Sequence, residues 1–142
     1  MHTNTEANKE TVKRYPKAVA AGDFDVIREL CTDDVVNHAP LGEPRGHEAL
    51  IAYERPIHEA FPNFEVTVED LVAEGDRVAM RITIRATHEG PVMDIDPTGA
   101  TVEFENYVFH RMVDGRIAER WVQPDVYGLL DQLGAVDASL TG

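Results

Sequence analysis

The spacing of apolar positions along the chain changes near Pro62. Before this residue the apolar positions recur at helical spacing, and after it they alternate with polar ones at every second position. Helical spacing is typical of helices packed on a core, and alternation is typical of half-buried strands. Helices first and a meandering sheet second predict an α+β fold.

The first half of the chain predicts three helices and one short strand. Helices are expected at residues 6–21, at 24–30 after an N-capping Asp23, and at 47–61. A strand is expected at 35–38, before a turn-rich loop. Pro16 is expected to kink the first helix and Pro56 to interrupt the third.

The second half predicts strands at residues 64–69, 78–88, 101–113 and 116–123, and a short helix at 126–133. Asp114 and Gly115 predict a hairpin turn. A curved sheet wrapped over helices leaves a conical pocket, because helices cannot fill the whole concave face. We expect one domain over residues 1–142, with an ordered core at about 6–134.

The charge balance is strongly acidic, with 26 Asp and Glu against 13 Lys and Arg and a formal net charge of −13. An acidic surface repels phosphate, so nucleic acids and anionic membranes are not expected as partners. The balance fits either plain solubility or a high-salt habitat, since lysine is scarce. Loss of the fold in low salt would support the high-salt interpretation, and full stability there would exclude it.

Neither a membrane span nor a secretion signal is expected. No run of about 18 apolar residues occurs, and the polar N-terminal residues lack an apolar signal core. The expected location is therefore the cytoplasm. The single cysteine, Cys31, is expected to fill the core rather than to act as a nucleophile.

Motifs for metals and cofactors are missing from the sequence. There is no His-x-x-x-His, no His-Glu-x-x-His and no glycine-rich nucleotide loop. Ser139 is the only serine, and its place in the tail argues against a serine triad. We therefore expect no metal and no cofactor, and acid–base chemistry in the pocket remains.

Asp125 is the leading candidate for that chemistry. It ends the last strand, in a row of equal parity with Trp121 and Gln123. If this row lines the pocket, an apolar wall raises the pKa of Asp125, as a general acid or base at neutral pH requires. Alternatively, Asp125 caps the following helix, a position that aspartate also favours.

Three further candidates come from strands and their ends. His38, before the proline loop, is a partner imidazole or a structural histidine. Arg81 and Thr83 share one face of a strand whose other face is apolar, and they form either a pocket floor or a solvated face. A buried Arg81 would need a carboxylate, which Glu119 or Asp125 could supply.

Two more histidines are candidate substrate contacts. His88 ends its strand and is otherwise a surface histidine. His110 lies mid-strand, and the strand register decides whether it faces the pocket.

Short motifs in a fixed order extend over nearly the whole chain. They are His38-Ala39-Pro40, Ala60-Phe61-Pro62-Asn63-Phe64, the stretch EDLVAEGDRV at 69–78, Thr87-His88-Glu89-Gly90, Pro97-Thr98-Gly99, the stretch DGRIAERW at 114–121, Asp125, and Gln132-Leu133-Gly134. This ordered set resembles the SnoaL-like polyketide cyclase family. The resemblance implies the cone-shaped α+β fold of nuclear transport factor 2, a curved, mixed, mostly antiparallel sheet over three N-terminal helices, and homodimers packed through the sheets.

The resemblance also implies a reaction. Members of the family close a polyketide ring by intramolecular aldol condensation without metal or cofactor, and their acid/base is an aspartate that follows the tryptophan of the last strand. Asp125 matches that aspartate, so the resemblance favours Asp125 as the catalyst. His38 is kept as its expected partner from its place before the proline loop. The expected contacts to a small hydrophobic carbonyl compound are Arg81, Thr83, His88, His110, Trp121 and Gln123.

Two other functions stay open. One is a non-catalytic module that binds a small ligand or a partner through the same cone. The other is an epoxide hydrolase. Limonene-epoxide hydrolases resemble the chain in Arg81, but they carry an aspartate where Thr83 stands here, which weakens that alternative.

Overall fold

The computed structural model describes residues 4–136. The change of apolar spacing at Pro62 separates its three N-terminal helices from four of its five strands. Ser139 lies outside the described residues. The helices are α1 (Thr5–Ala21), α2 (Phe24–Leu30), α3 (His47–Ala60) and α4 (Val126–Gln132). The strands are β1 (Cys31–His38), β2 (Glu65–Glu74), β3 (Arg77–Thr87), β4 (Thr101–Val113) and β5 (Arg116–Pro124).

The strands form one five-stranded sheet in the order β1-β5-β4-β3-β2. Strand β1 is parallel to β5, and the other neighbours are antiparallel. The sheet is curved and not closed into a barrel. The expected α+β class and the mixed, mostly antiparallel sheet are therefore confirmed.

Helix α1 packs on the concave face through its apolar row. Val12, Tyr15 and Val19 are each at most 3% exposed, as the helical spacing predicts. Helices α1 and α3 continue through Pro16 and Pro56, so the expected interruption at Pro56 is wrong. Packing of the apolar face outweighs the backbone hydrogen bond that each proline removes.

A β-bulge in β5 determines which side chains face the helices. Met112 pairs with Ile117, but Arg111 pairs with Glu119, so that Ala118 is an extra residue without a partner. An extra residue reverses the alternation of side chains between the two faces of a strand.

Beyond the bulge, Arg120 and Val122 lie on the inner face, among the residues that line a cavity, whereas Trp121 and Gln123 do not line it. The row that ends at Asp125 therefore does not line the pocket. Counting every second residue from Ile117 predicts the wrong inner face for the end of β5, because the count does not allow for the extra residue Ala118.

Two other expectations concern burial and membranes. Cys31 is fully buried in the core, as expected for a filler residue. Within residues 4–136, no helix has both the length and the apolarity needed to cross a membrane.

The close contact between the β3–β4 loop and the end of α3 generates a stability prediction. A Cβ at Gly90 would overlap the carbonyl oxygen of Glu59, a backbone atom that cannot rotate away. We expect Gly90→Ala to lower the free energy of unfolding by about 3 kcal/mol in denaturant titrations.

Gly75→Ala is the matched control, because a Cβ at Gly75 has no atom within 4 Å and meets only the strain of φ +58°. We expect that control to cost about 1 kcal/mol. Equal losses in the two variants would contradict the steric explanation.

Candidate functional site

The concave side of the sheet and the helices enclose a cavity of about 160 Å³. Its walls are mainly apolar and come from α3, α4 and the inner faces of the central strands. They include Ile57, Met80, Ile82, Val108, Val122 and Leu129. An apolar space of this size holds about one aromatic ring. The cavity is partly open to solvent, so a second ring can extend from it.

Four polar side chains interrupt this lining as one cluster. Tyr15 of α1, Asn37 of β1, Glu54 of α3 and Arg120 of β5 all line the cavity, and none is more than 6% exposed. Polar groups buried to this degree need partners inside the protein. We call this group the polar end of the cavity.

Arg120 connects the other three members. Its Nη1 donates a hydrogen bond to Asn37 Oδ1 at 2.7 Å and lies 3.7 Å from Glu54 Oε2. Its guanidinium carbon stands 3.8 Å from the centre of the Tyr15 ring. The guanidinium thus has an amide oxygen, a carboxylate and an aromatic face around it, all of which favour its positive charge.

Burial tunes the titratable groups of the polar end. It raises the pKa of Glu54, against the opposing effect of the Arg120 charge. It also raises the pKa of Tyr15, with the Glu54 carboxylate as the second cause, so the phenol keeps its proton. A carboxylate with a raised pKa in an apolar space is suited to take up and return a proton.

His110 lies behind Arg120 and does not line the cavity. It pairs with Arg120 across β4 and β5 and is fully buried. Its Nδ1 donates to the Val78 carbonyl oxygen at 3.1 Å. Burial, followed by the neighbouring Arg120 charge, lowers the pKa of His110 to about 3. The imidazole is therefore neutral at physiological pH and cannot serve as a proton donor there.

Asp125 is exposed and caps helix α4, the alternative that the sequence left open. Its Oδ1 accepts from the Gly128 backbone N–H at 2.9 Å. Its neighbours Pro124 and Val126 line the cavity, but Asp125 does not.

His38 is held by two carboxylates and lies outside the cavity. Its Nδ1 is 2.6 Å from Glu43 Oε1, and its Nε2 is 2.6 Å from Glu119 Oε2. The hydrogen bond with Glu119 is the largest cause that raises the pKa of His38. The ring stacks on Trp121 with a centroid distance of 5.4 Å, so Trp121 also lies on the outer face of the sheet.

Arg81 and Thr83 form the solvated face rather than a pocket floor. Arg81 donates to Asp70 Oδ2 at 2.8 Å and to Glu105 Oε2 at 3.1 Å. Its carboxylate partners are thus not the expected Glu119 or Asp125. The Thr83 hydroxyl donates a hydrogen bond to Oε1 of the exposed Glu69 at 3.0 Å.

The last two candidates also lie outside the cavity. His88 is buried, not on the surface. Its Nδ1 accepts from the Thr98 backbone N–H at 3.2 Å, and its ring lies 5.6 Å from that of Phe61. Gln123 is exposed beside Tyr107 on the outer face. None of the eight candidate site residues lines the cavity, although His110 is the cross-strand neighbour of Arg120.

Asn37, Glu54 and Arg120 were not among the candidate residues. Glu54 carried a readable signal, since it lies on the apolar row of α3 with Leu50 and Ile57. A lone carboxylate on a buried helical face indicates either an internal ion pair or a functional site. Arg120 carried no such signal, because the bulge hides its facing.

Comparisons with known proteins give a consistent result. The family model of the SnoaL-like polyketide cyclases matches residues 9–133. The chain is 28% identical over 130 residues to aklanonic acid methyl ester cyclase DauD of Streptomyces sp. (strain C5), which covers 88% of this chain and 80% of that relative.

Solved structures share the fold. A candidate SnoaL-like polyketide cyclase from Jannaschia sp. CCS1 superposes with a TM-score of 0.85 at 26% identity, over 96% of this chain and 98% of that one. IdmH, a candidate polyketide cyclase from Streptomyces antibioticus, superposes with a TM-score of 0.79 at 34% identity, over 89% and 98%. The expected cone-type architecture is confirmed.

The lowered pKa of His110 predicts acid sensitivity. Below the ordinary value of 6.5 the unfolded chain binds a proton that the folded chain refuses until about pH 3. The free energy of unfolding therefore falls as the pH drops through this window, by up to about 1.4 kcal/mol per pH unit.

His110→Asn keeps a donor for Val78 but cannot titrate. We expect its stability to fall less steeply than that of the wild type between pH 6.5 and 4, as measured by urea unfolding. Identical slopes in the two proteins would contradict a neutral, buried His110.

Proposed function

Because the chain belongs to the SnoaL-like polyketide cyclase family, we propose that it is a cofactor-independent acid/base enzyme for a small hydrophobic carbonyl compound. The relatives are named cyclases, and the reaction class proposed is intramolecular aldol cyclisation. The observation that carries the proposal is the raised pKa of Glu54 beside Arg120 in an apolar cavity.

The first step is proton abstraction by Glu54. Its carboxylate takes a proton from the carbon next to the substrate carbonyl, and the electron pair of the C–H bond becomes an enolate. Burial makes the neutral acid form of Glu54 more favourable than it would be in water, so the transfer is easier.

Arg120 matches the movement of charge in this step. Before the transfer its positive charge faces the Glu54 carboxylate at 3.7 Å. After the transfer Glu54 is neutral, the negative charge lies on the enolate oxygen, and Arg120 is free to stabilise it. The net charge of the cavity does not change, so no ion has to cross an apolar wall.

The second step closes the ring. The enolate carbon attacks another carbonyl carbon of the same substrate and forms a carbon–carbon bond. The new alkoxide takes the proton back from Glu54, which restores the resting ion pair. The protonated Tyr15 hydroxyl is a further donor for substrate oxygen at this end of the cavity.

Asp125 is the competing acid/base, as the family resemblance implies. To act in the cavity, its carboxylate would have to leave the Gly128 N–H and turn inward between Pro124 and Val126. Glu54 needs no such movement, and this difference makes it the favoured assignment.

Isosteric amide variants separate the two carboxylates. With aklanonic acid methyl ester as the first trial substrate, we expect Glu54→Gln to lower kcat at least about 100-fold. Asp125→Asn keeps a good helix cap and is expected to change kcat by less than about threefold. Circular dichroism verifies the fold of both variants.

The reverse pattern would assign the catalysis to Asp125. Turnover by the wild type that neither variant lowers would rule out both carboxylates. A cavity that binds apolar ring compounds without turning them over would favour the binding module, which the mainly apolar lining also supports. Ligand-induced thermal stabilisation that survives Glu54→Gln would identify that function.

We also propose a homodimer through the outer face of the sheet. This face exposes large aromatic side chains, with Tyr107 at 54% and Phe109 at 44%, beside Trp121. Exposed aromatic groups on a strand face are typical of contact surfaces.

Sedimentation of a charged variant tests the dimer. We expect Phe109→Asp to shift the protein from dimer to monomer at micromolar concentration, because the charge would be buried at the contact. Leu41→Asp is the control, since this exposed leucine lies in the β1–α3 loop and not on the sheet. A wild type that sediments as a monomer would contradict the proposal.

A further inference from the structure

The side-chain amide of Asn37 has only one possible orientation. Its Oδ1 accepts from Arg120 Nη1 at 2.7 Å. A guanidinium only donates, so the oxygen must face Arg120, and Nδ2 must point to the other side. Because Arg120 is itself held by Glu54 and Tyr15, the direction of the Asn37 N–H groups is fixed before any ligand arrives.

Asn37 Nδ2 is buried and has no hydrogen-bond partner among residues 4–136. The same holds for Arg120 Nε. The Tyr15 hydroxyl also has no partner within hydrogen-bond geometry among these residues, although the Glu54 carboxylate lies close enough to raise its pKa. Buried polar groups without partners are rare in native proteins, and three of them at one end of one cavity call for an explanation. A ligand atom that accepts hydrogen bonds would satisfy them.

The chemistry of these groups selects an oxygen acceptor. Asn37 Nδ2 and Arg120 Nε can only donate, and Tyr15 can donate its phenolic proton. An amine or amide N–H in this place would face further donors and would be rejected. A carbonyl oxygen fits, and so does the enolate oxygen that forms from it.

Within the described part of the chain, two unpaired acceptors stand apart from these donors. His110 Nε2 is next to Arg120 but does not line the cavity, and Asn106 Oδ1 lines the cavity at another place. Asn106 pairs with Pro124, four residues along β5 from Arg120. That separation is roughly 13 Å along the strand, so Asn106 would contact a different part of a ligand. The polar end therefore favours ligand atoms that accept hydrogen bonds.

We infer that Asn37 determines substrate specificity. Its Nδ2 donates to the carbonyl oxygen of a cyclic ketone of one or two rings, and the ketone enters with its oxygen toward Arg120. The inference rests on the proposed function for the carbonyl class of the substrate. The same donor stabilises the enolate oxygen more strongly than the ketone oxygen, because negative charge develops there during proton abstraction.

Two probes that differ in one oxygen test the inference. The bicyclic ketone 2-tetralone and the hydrocarbon tetralin share a ring skeleton, and calorimetric titration measures the Kd of each. We expect the wild type to bind the ketone about tenfold more tightly. Equal affinities would overturn the inference, and binding of neither probe would overturn the proposed ligand class.

Asn37→Asp is the sharpest variant. It keeps an oxygen toward Arg120 but replaces the donor Nδ2 with a second acceptor. We expect the preference for the ketone to disappear while the Kd of tetralin stays within about twofold. A preference retained in this variant would overturn the role of Asn37.

Two further variants protect the test against effects on folding. Asn37→Leu removes both polar atoms of the amide and keeps the branched shape of the side chain, and the same loss of preference is expected if Asn37→Asp does not fold. Thr67→Val changes an exposed hydroxyl on β2 and is expected to keep the wild-type preference.

Deuterium exchange separates this inference from the proposed function. Exchange above the uncatalysed rate in buffer, at the carbon next to the 2-tetralone carbonyl, reports proton abstraction by the protein, and Glu54→Gln is expected to reduce the exchange to that uncatalysed rate. A retained ketone preference without any exchange in the wild type would refute the proposed catalysis alone. Exchange without a ketone preference would refute the role of Asn37 alone.

Discussion

The buried guanidinium of Arg120 is the constraint on which the polar end depends. A charge that is 5% exposed would destabilise the fold unless it met opposite charge and hydrogen-bond acceptors. Two helices and one strand supply these partners. Glu54 of α3 supplies the opposite charge, Asn37 of β1 supplies the acceptor oxygen, and Tyr15 of α1 supplies an aromatic face. The residues that neutralise the charge are also those that give an apolar cavity its chemistry.

The sequence predicted the elements of this fold well, because their apolar positions follow the period of each element. The helical row with Val12, Tyr15 and Val19 is buried as expected, and the long strands lie within a few residues of their predicted bounds. The effect of Pro56 was misjudged, since it does not interrupt α3. Local propensity yields to packing there, and packing cannot be read from one segment.

The site was much less predictable than the fold. The polar residues Arg81 and Thr83 were predicted to form a pocket floor. Their side chains instead bond carboxylates of the neighbouring strands on the solvated face. The cavity wall is instead the apolar row of the same strand, as suits an apolar ligand. Asp125 satisfied a helix cap, a role equally visible in the sequence, and no pattern could have revealed the facing of Arg120 behind a bulge.

The bulge at Ala118 has a consequence for how this site could change over evolutionary time. The identity of the extra residue matters little, but its presence sets the parity of every position after it in β5. Deletion of this one codon would exchange the inner and outer faces of the strand after residue 118, so that the indole of Trp121 would replace the guanidinium of Arg120 in the interior. A single-residue deletion is therefore a short genetic route to a different cavity on the same scaffold.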